Sequence, residues 1–183
     1  MFRAAGLPLL FLSILLVGCS SMDVTKFAGT TPEFKPERYF AGRTEAWGMF
    51  QDRFGTVRRT FHVTIDGQWD DELLTLDERF VYDDGTLDRR IWRIRKLDDH
   101  SYEGEADDVV GKATGRAYGR ALGWEYDLRM SIGGSEWTMR FEDLMVLQDG
   151  DVLINVAEVS KFGLNVGRVT LFFRKPDAEA PPT

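Results

Sequence analysis

The sequence predicts an all-β protein, an antiparallel meander of about eight to ten strands that closes into a barrel. Three observations carry that prediction. Alternating apolar and polar stretches recur through residues 42–174, separated by short turns rich in Asp and Gly. No amphipathic stretch longer than a turn or two of helix interrupts them. Residues 73–96, LLTLDERFVYDDGTLDRRIWRIRK, read as two long strands joined by a tight turn.

In that hairpin, Asp83-Asp84-Gly85 is the turn, with glycine at the left-handed position. A three-residue loop pairs Tyr82 with Thr86, and stepping outward by twos sets Phe80 opposite Asp88, Glu78 opposite Arg90, Leu76 opposite Trp92 and Leu74 opposite Ile94. Side chains alternate between faces along a strand. One face therefore collects Leu74, Leu76, Phe80, Tyr82, Trp92 and Ile94, with Glu78 and Arg90 among them. The other collects Thr75, Asp77, Arg79, Arg89, Arg93 and Arg95. A carboxylate and a guanidinium on an apolar face read as a ligand-orienting pair, with Arg90 receiving an anionic head group, or as an internal ion pair that satisfies only itself.

The remaining elements follow in chain order. Residues 1–18 read as a signal peptide: Arg3 supplies a positive charge, and the apolar run from Leu7 to Val17 is shorter than the roughly 20 residues a membrane span needs. Residues 19–36 read as a lipid-modified N-terminus and flexible tether rich in Ser, Thr, Gly and Pro. The barrel domain is expected over 37–175, opening on a short helical turn at 36–40. Strands are expected at 42–51 and 57–65, the latter followed by an Asp66-Gly67 turn, and then come the hairpin strands. Further strands are expected at 100–110, over a long bent or split run at 112–132, and at 136–148, 151–159 and 166–174. Residues 176–183 read as a disordered tail. The charges on both strand faces argue against a lipid-facing transmembrane band.

A second hairpin repeats the pattern of the first. A two-residue Asp149-Gly150 loop would pair Leu147 with Val152, Met145 with Ile154, Asp143 with Val156 and Phe141 with Glu158. The apolar face then holds Trp137, Met139, Phe141, Met145 and Leu147, with Asp143 and Glu158 among them. Arg90 and Arg120 are the candidate partners of these acids. Between the hairpins, every odd position from Gly111 to Gly123 is Gly or Ala. Something must approach that backbone closely, whether a bend, a neighbouring segment or a ligand.

Composition excludes several classes. The chain has 183 residues, enough for one domain with a core, and a net charge of −7. That balance argues against nucleic acid as a partner. Cys19 is the only cysteine, so no disulfide framework forms, and two histidines without a clustered third ligand offer no metal site. No phosphate loop, nucleophile elbow or cofactor fingerprint occurs. Nothing in the sequence specifies a protein partner.

Two resemblances follow from particular residues. Leu16-Val17-Gly18-Cys19 resembles the lipobox of bacterial lipoproteins. This implies cleavage before Cys19, lipidation of Cys19, and attachment to a membrane through N-terminal acyl chains, each buried methylene contributing about 0.8 kcal/mol. Ser20 after the cysteine implies an outer-membrane, periplasm-facing location. The run Tyr39-Phe40-Ala41-Gly42 with Ala46-Trp47-Gly48-Met49-Phe50-Gln51-Asp52-Arg53-Phe54-Gly55 is similar to the start of an uncharacterised proteobacterial lipoprotein family, domain of unknown function 3833. Leu76-Asp77-Glu78, Tyr82-Asp83-Asp84-Gly85, Tyr102-Glu103-Gly104, Gly111-Lys112-Ala113 and Ser160-Lys161-Phe162-Gly163 are similar too. The resemblance implies a link to fatty-acyl modification of membrane lipids. By architecture the chain is lipocalin-like (calycin-like), although a lipocalin start places Trp two residues after Gly and here Trp47 follows Gly42 by five.

The expected function is therefore a barrel that binds a lipid or fatty acyl ligand. Glu78, Phe80, Tyr82, Arg90, Trp92, Arg120, Trp124, Trp137, Phe141, Asp143, Met145 and Glu158 are its candidate site. The alternatives are a lipid-acting enzyme using the buried carboxylates as acid and base and an envelope scaffold with a filled barrel.

Overall fold

The computed structural model describes residues 23–176. The expected signal peptide, Cys19 and all but the first residue of the expected tail lie outside the described residues. The strands are β1 (Gly42–Asp52), β2 (Val57–Trp69), β3 (Leu73–Tyr82), β4 (Leu87–Lys96), β5 (Ser101–Glu105), β6 (Val109–Tyr118), β7 (Ala121–Ile132), β8 (Ser135–Leu147), β9 (Leu153–Lys161) and β10 (Leu164–Arg174). Each pairs antiparallel with its neighbours in sequence, and β1 pairs with β10, so the meander closes into a ten-stranded barrel. Closure leaves the sheet without end strands.

The first hairpin has the expected register. Tyr82 N–H donates to the Thr86 carbonyl at 3.0 Å, Gly85 takes φ +78°, and Glu78 stands opposite Arg90. The second does not. Gln148 N–H donates to the Val152 carbonyl, and the loop holds Gly150 and Asp151 at φ +70° and +58°. Leu147 therefore pairs with Leu153, Met145 with Asn155 and Asp143 with Ala157. This one-residue shift turns Ile154, Val156 and Glu158 outward and brings Leu153, Asn155, Ala157 and Val159 inside. The alternation of β9 cannot set this register, because both of its faces are apolar. Ile154 lies in an exterior row with Phe172, Trp47, His62 and Val81 on adjacent strands.

Other expectations change locally. Asp66-Gly67 is not a turn: β2 continues to Trp69, and the chain reverses at 70–72 with Asp71 at φ +66°. Gly67 is required instead because the Phe40 carbonyl lies where a Cβ would stand. The 100–110 run is broken at 106–108, and the 112–132 run splits at Gly119-Arg120. The close approach to the Gly/Ala face is made by Trp124. Its ring covers Gly104 and Gly115, and a Cβ on Gly104 would meet it at 2.6 Å.

Described residues of the expected tether do not hang free. A 3-10 turn, Val24–Phe27, and helix α1 (Pro36–Tyr39) flank a segment whose Phe34 is 1% exposed. Phe34 N–H donates to the Gly119 carbonyl at 2.8 Å, and Tyr39 Oη donates to the Asp151 carbonyl at 2.9 Å. Phe34, Tyr39 and Phe40 pack edge to face with centroids 5.0–6.3 Å apart, and Phe40 meets Phe173 at 5.9 Å. Lys96 Nζ and Tyr102 Oη donate to the two oxygens of buried Glu37, at 2.7 and 3.0 Å, and pin α1 to the wall. These residues form a floor across one end of the barrel.

The opposite end is the mouth. There the β5–β6 hairpin stops short: β4 pairs with β5 only over 93–96, and β7 pairs with β6 only as far as Leu128. The upper part of the wall between β4 and β7 is thus a notch, and the Ala106–Asp108 turn forms its sill.

Candidate functional site

A cavity of about 300 Å³ occupies the barrel axis above the floor. It arises because inward positions alternate between bulky side chains and very small ones. Ala157 leaves space that the aromatic rings of the other strands do not fill, whereas Gly104 and Gly115 make room for the Trp124 ring. Phe61, Phe80, Tyr82, Trp92, Trp124, Tyr126 and Phe141 line it, with aliphatic residues from β2, β3, β7 and β10 between them. Trp92 meets Trp124 and Tyr126 edge to face at 5.8 and 5.4 Å, and Tyr126 stacks on Phe141 at 5.1 Å. The volume lies at the low end of the range for small-molecule pockets.

A small polar cluster interrupts this lining. Arg90 is held chiefly by Asp108, not by Glu78. Its Nε donates to Asp108 Oδ2 at 2.9 Å and its Nη2 stands 2.8 Å from the same oxygen, whereas the nearest Glu78 oxygen is 3.9 Å from Nη1. The shortness of the β5–β6 hairpin makes this possible, because it sets the Asp108 turn beside Arg90. Across the barrel, Asn155 Nδ2 donates to Asp143 Oδ2 at 3.3 Å. Asp143 Oδ1 and Asn155 Oδ1 are buried and accept no hydrogen bond.

Burial governs the electrostatics. Loss of water pushes Glu78 up to about 7, with Arg90 pulling it back and Asp108 adding to the rise. Asp143 is likewise pushed up to about 7 by burial; the Asn155 hydrogen bond and Arg90 oppose the shift, and Glu78 adds to it. Burial works against the Arg90 charge, but Glu78 and Asp108 hold its pKa above the ordinary value. Tyr126 is raised by burial and by Asp143, so its phenol stays protonated.

The cavity thus gathers Glu78, Phe80, Tyr82, Arg90, Trp92, Trp124, Phe141, Asp143 and Met145 from the sequence-expected set. Three members lie elsewhere. Glu158 faces outward, 2.9 Å from Arg168 and accepting from Asn165 at 2.6 Å, a consequence of the register shift. Arg120 lies in the β6–β7 turn at the floor, where its N–H meets Thr30 Oγ1 and its carbonyl accepts from Leu147. Trp137 is 40% exposed beyond the cavity, with Lys161 Nζ 2.7 Å above its ring. Sequence reasoning missed Asp108, Asn155 and Tyr126. For Asp108 a signal existed, since Asp107-Asp108 is turn chemistry inside the stretch read as one strand. Asn155 became invisible once the β9 register slipped.

The lining offers hydrophobic volume, aromatic faces and hydrogen-bond acceptors. Among the described residues, no three His, Cys, Asp or Glu side chains gather as a metal site. The interior is hollow, unlike that of a filled scaffold barrel. Among the described residues no helix is long and apolar enough to cross a membrane.

No curated protein matches the chain. The family model described as a protein of unknown function, DUF3833, matches residues 13–175. With nearly the whole chain covered, this ten-stranded barrel belongs to the DUF3833 family.

Proposed function

We propose that the barrel is a binding module that holds a lipid or fatty acyl ligand in its interior. The observation that carries the reading is the cavity itself: about 300 Å³ of mostly aromatic and aliphatic lining with a few convergent polar groups on its wall. Burying an apolar chain there would contribute about 0.8 kcal/mol for each methylene removed from water. The floor shuts one end, so the chain would enter from the mouth or the notch. The Leu16–Cys19 resemblance adds the proposal that Cys19 carries acyl chains and holds the barrel at the outer membrane, facing the periplasm. The test is organic extraction of protein purified from membranes without stripping, followed by mass spectrometry. One amphiphile per barrel is expected; protein that carries none and binds no acyl probe overturns the reading.

The two carboxyls raised to about 7 favour a second reading, general acid–base chemistry on the bound amphiphile. It requires that Glu78→Gln or Asp143→Asn abolish turnover of a lipid substrate while leaving its binding intact.

A further inference from the structure

Unpartnered acceptors stand on the cavity wall, and they bear on the head group the cavity can take. Asp143 Oδ1 and Asn155 Oδ1 are unpartnered acceptors on side chains that are only 5% and 3% exposed, and both residues line the cavity. The Asn155 amide already gives a hydrogen bond to Asp143, so the pair turns acceptors toward the ligand space. Glu78 adds a third acceptor group, 3.9 Å from its nearest cation and beyond hydrogen-bond distance.

The cations point the same way. Two arginines line the cavity, and each already holds a carboxylate: Arg90 that of Asp108, and Arg59 that of Asp84 at 3.1 Å while lying 3.5 Å over the Tyr82 ring. Each guanidinium charge is thus already matched by a carboxylate, which leaves an entering carboxylate less to gain from it. The entering group would also stand among the Asp143 and Glu78 carboxyls, which disfavour a further negative charge. A buried acceptor left unpaired costs about 1–3 kcal/mol, so the group that supplies the missing donor is the one the wall selects.

We propose that the cavity takes an amphiphile whose head donates hydrogen bonds and bears no negative charge, a hydroxyl or an amine, in preference to a free fatty carboxylate. This rests on the lipid-binding reading above and narrows it. A hydroxyl hydrogen would satisfy one of Asp143 Oδ1 and Asn155 Oδ1, and ammonium hydrogens both, while the chain runs along the aromatic lining.

The experiment is displacement of a fluorescent acyl probe from the purified full-length protein at neutral pH by dodecanol, dodecylamine and dodecanoate, each below its aggregation limit. The chains are equal, so only the head differs. Dodecanol or dodecylamine should bind about tenfold or more tightly than dodecanoate. The better of the two tells a neutral from a cationic head, and either order supports the proposal. Asp108→Asn frees Arg90 at the notch and should shift the preference about tenfold toward dodecanoate. Asp143→Asn should narrow the gap. Dodecanoate binding as tightly as the other two overturns the proposal and leaves the lipid-binding reading standing. Failure of the probe and all three amphiphiles to bind overturns both.

Discussion

Arg90 and Asp108 form a two-nitrogen pair, with Nε at 2.9 Å and Nη2 at 2.8 Å from one carboxylate oxygen, at the point where the barrel wall is notched. Glu78, directly opposite Arg90 across the β3–β4 ladder, is left at 3.9 Å. Arg90 is thus shared between two acids, Asp108 at 36% side-chain exposure and Glu78 at 15%. Its removal should be felt mainly at Glu78. We expect Arg90→Met to raise the pKa of Glu78 further and to destabilise the fold by about 1–3 kcal/mol at alkaline pH, less in acid, where Glu78 is already neutral. Urea unfolding at two pH values measures this. An equal loss at both would mean that packing, not charge, dominates.

Stability should fall as pH rises through neutrality. Glu78 and Asp143 titrate at about 7 in the folded protein, above the carboxylate range near 4 of an unfolded chain. The folded state therefore binds their protons more tightly. Their contribution is fully present below about pH 4 and is lost as pH rises through 7. Glu37 behaves oppositely. Burial raises its pKa, but the Lys96 and Tyr102 hydrogen bonds win and hold it below its ordinary value, so its contribution is lost as pH falls. Stability is therefore greatest near the ordinary carboxylate range, about pH 4, and declines from there to about pH 7. The double variant Glu78→Gln, Asp143→Asn should flatten the alkaline limb in thermal melts.

Gly115 and Gly104 should tolerate no side chain. The Trp124 ring lies against both, so Gly115→Ala forces it off its site and should cost about 1–3 kcal/mol. Trp124→Leu in the same chain should recover much of that loss. Denaturant melts and the Trp fluorescence maximum report the two effects separately.

The floor should behave as part of the fold. Phe34 is 1% exposed and packs on Tyr39 and Phe40. Phe34→Ala should cost about 3–5 kcal/mol, as for other buried aromatic residues. If residues 23–36 were a loose tether the substitution would be silent, and melting temperature distinguishes the two.

The part of the sequence that could be read, and the part that could not, differ for local reasons. The β3–β4 hairpin was legible because Asp-Asp-Gly specifies its turn and because only one register gathers its apolar residues on one face. That placed Glu78 and Arg90 inside. The β8–β9 loop contains the equally suggestive Asp149-Gly150, yet Asp151 also adopts a left-handed conformation, which lengthens the loop. Apolar residues on both faces of β9 gave no warning, and Glu158 was placed inside while Asn155 was not. The Asp108 contribution depends on how far the β5–β6 hairpin climbs the wall. Pairing length between strands is a tertiary property that no local pattern records.

If an acyl chain binds inside the barrel, filling the cavity should block it. Ala157 is 2% exposed and faces the cavity from β9, so Ala157→Phe would occupy ligand space without adding surface. Titration of a fluorescent acyl probe into the purified protein should show saturable binding at one site per barrel. Ala157→Phe, checked by thermal melting for an intact fold, should weaken that binding by about tenfold or more. Absence of saturable binding, or binding that the filled cavity leaves unchanged, would rule out an acyl site inside the barrel.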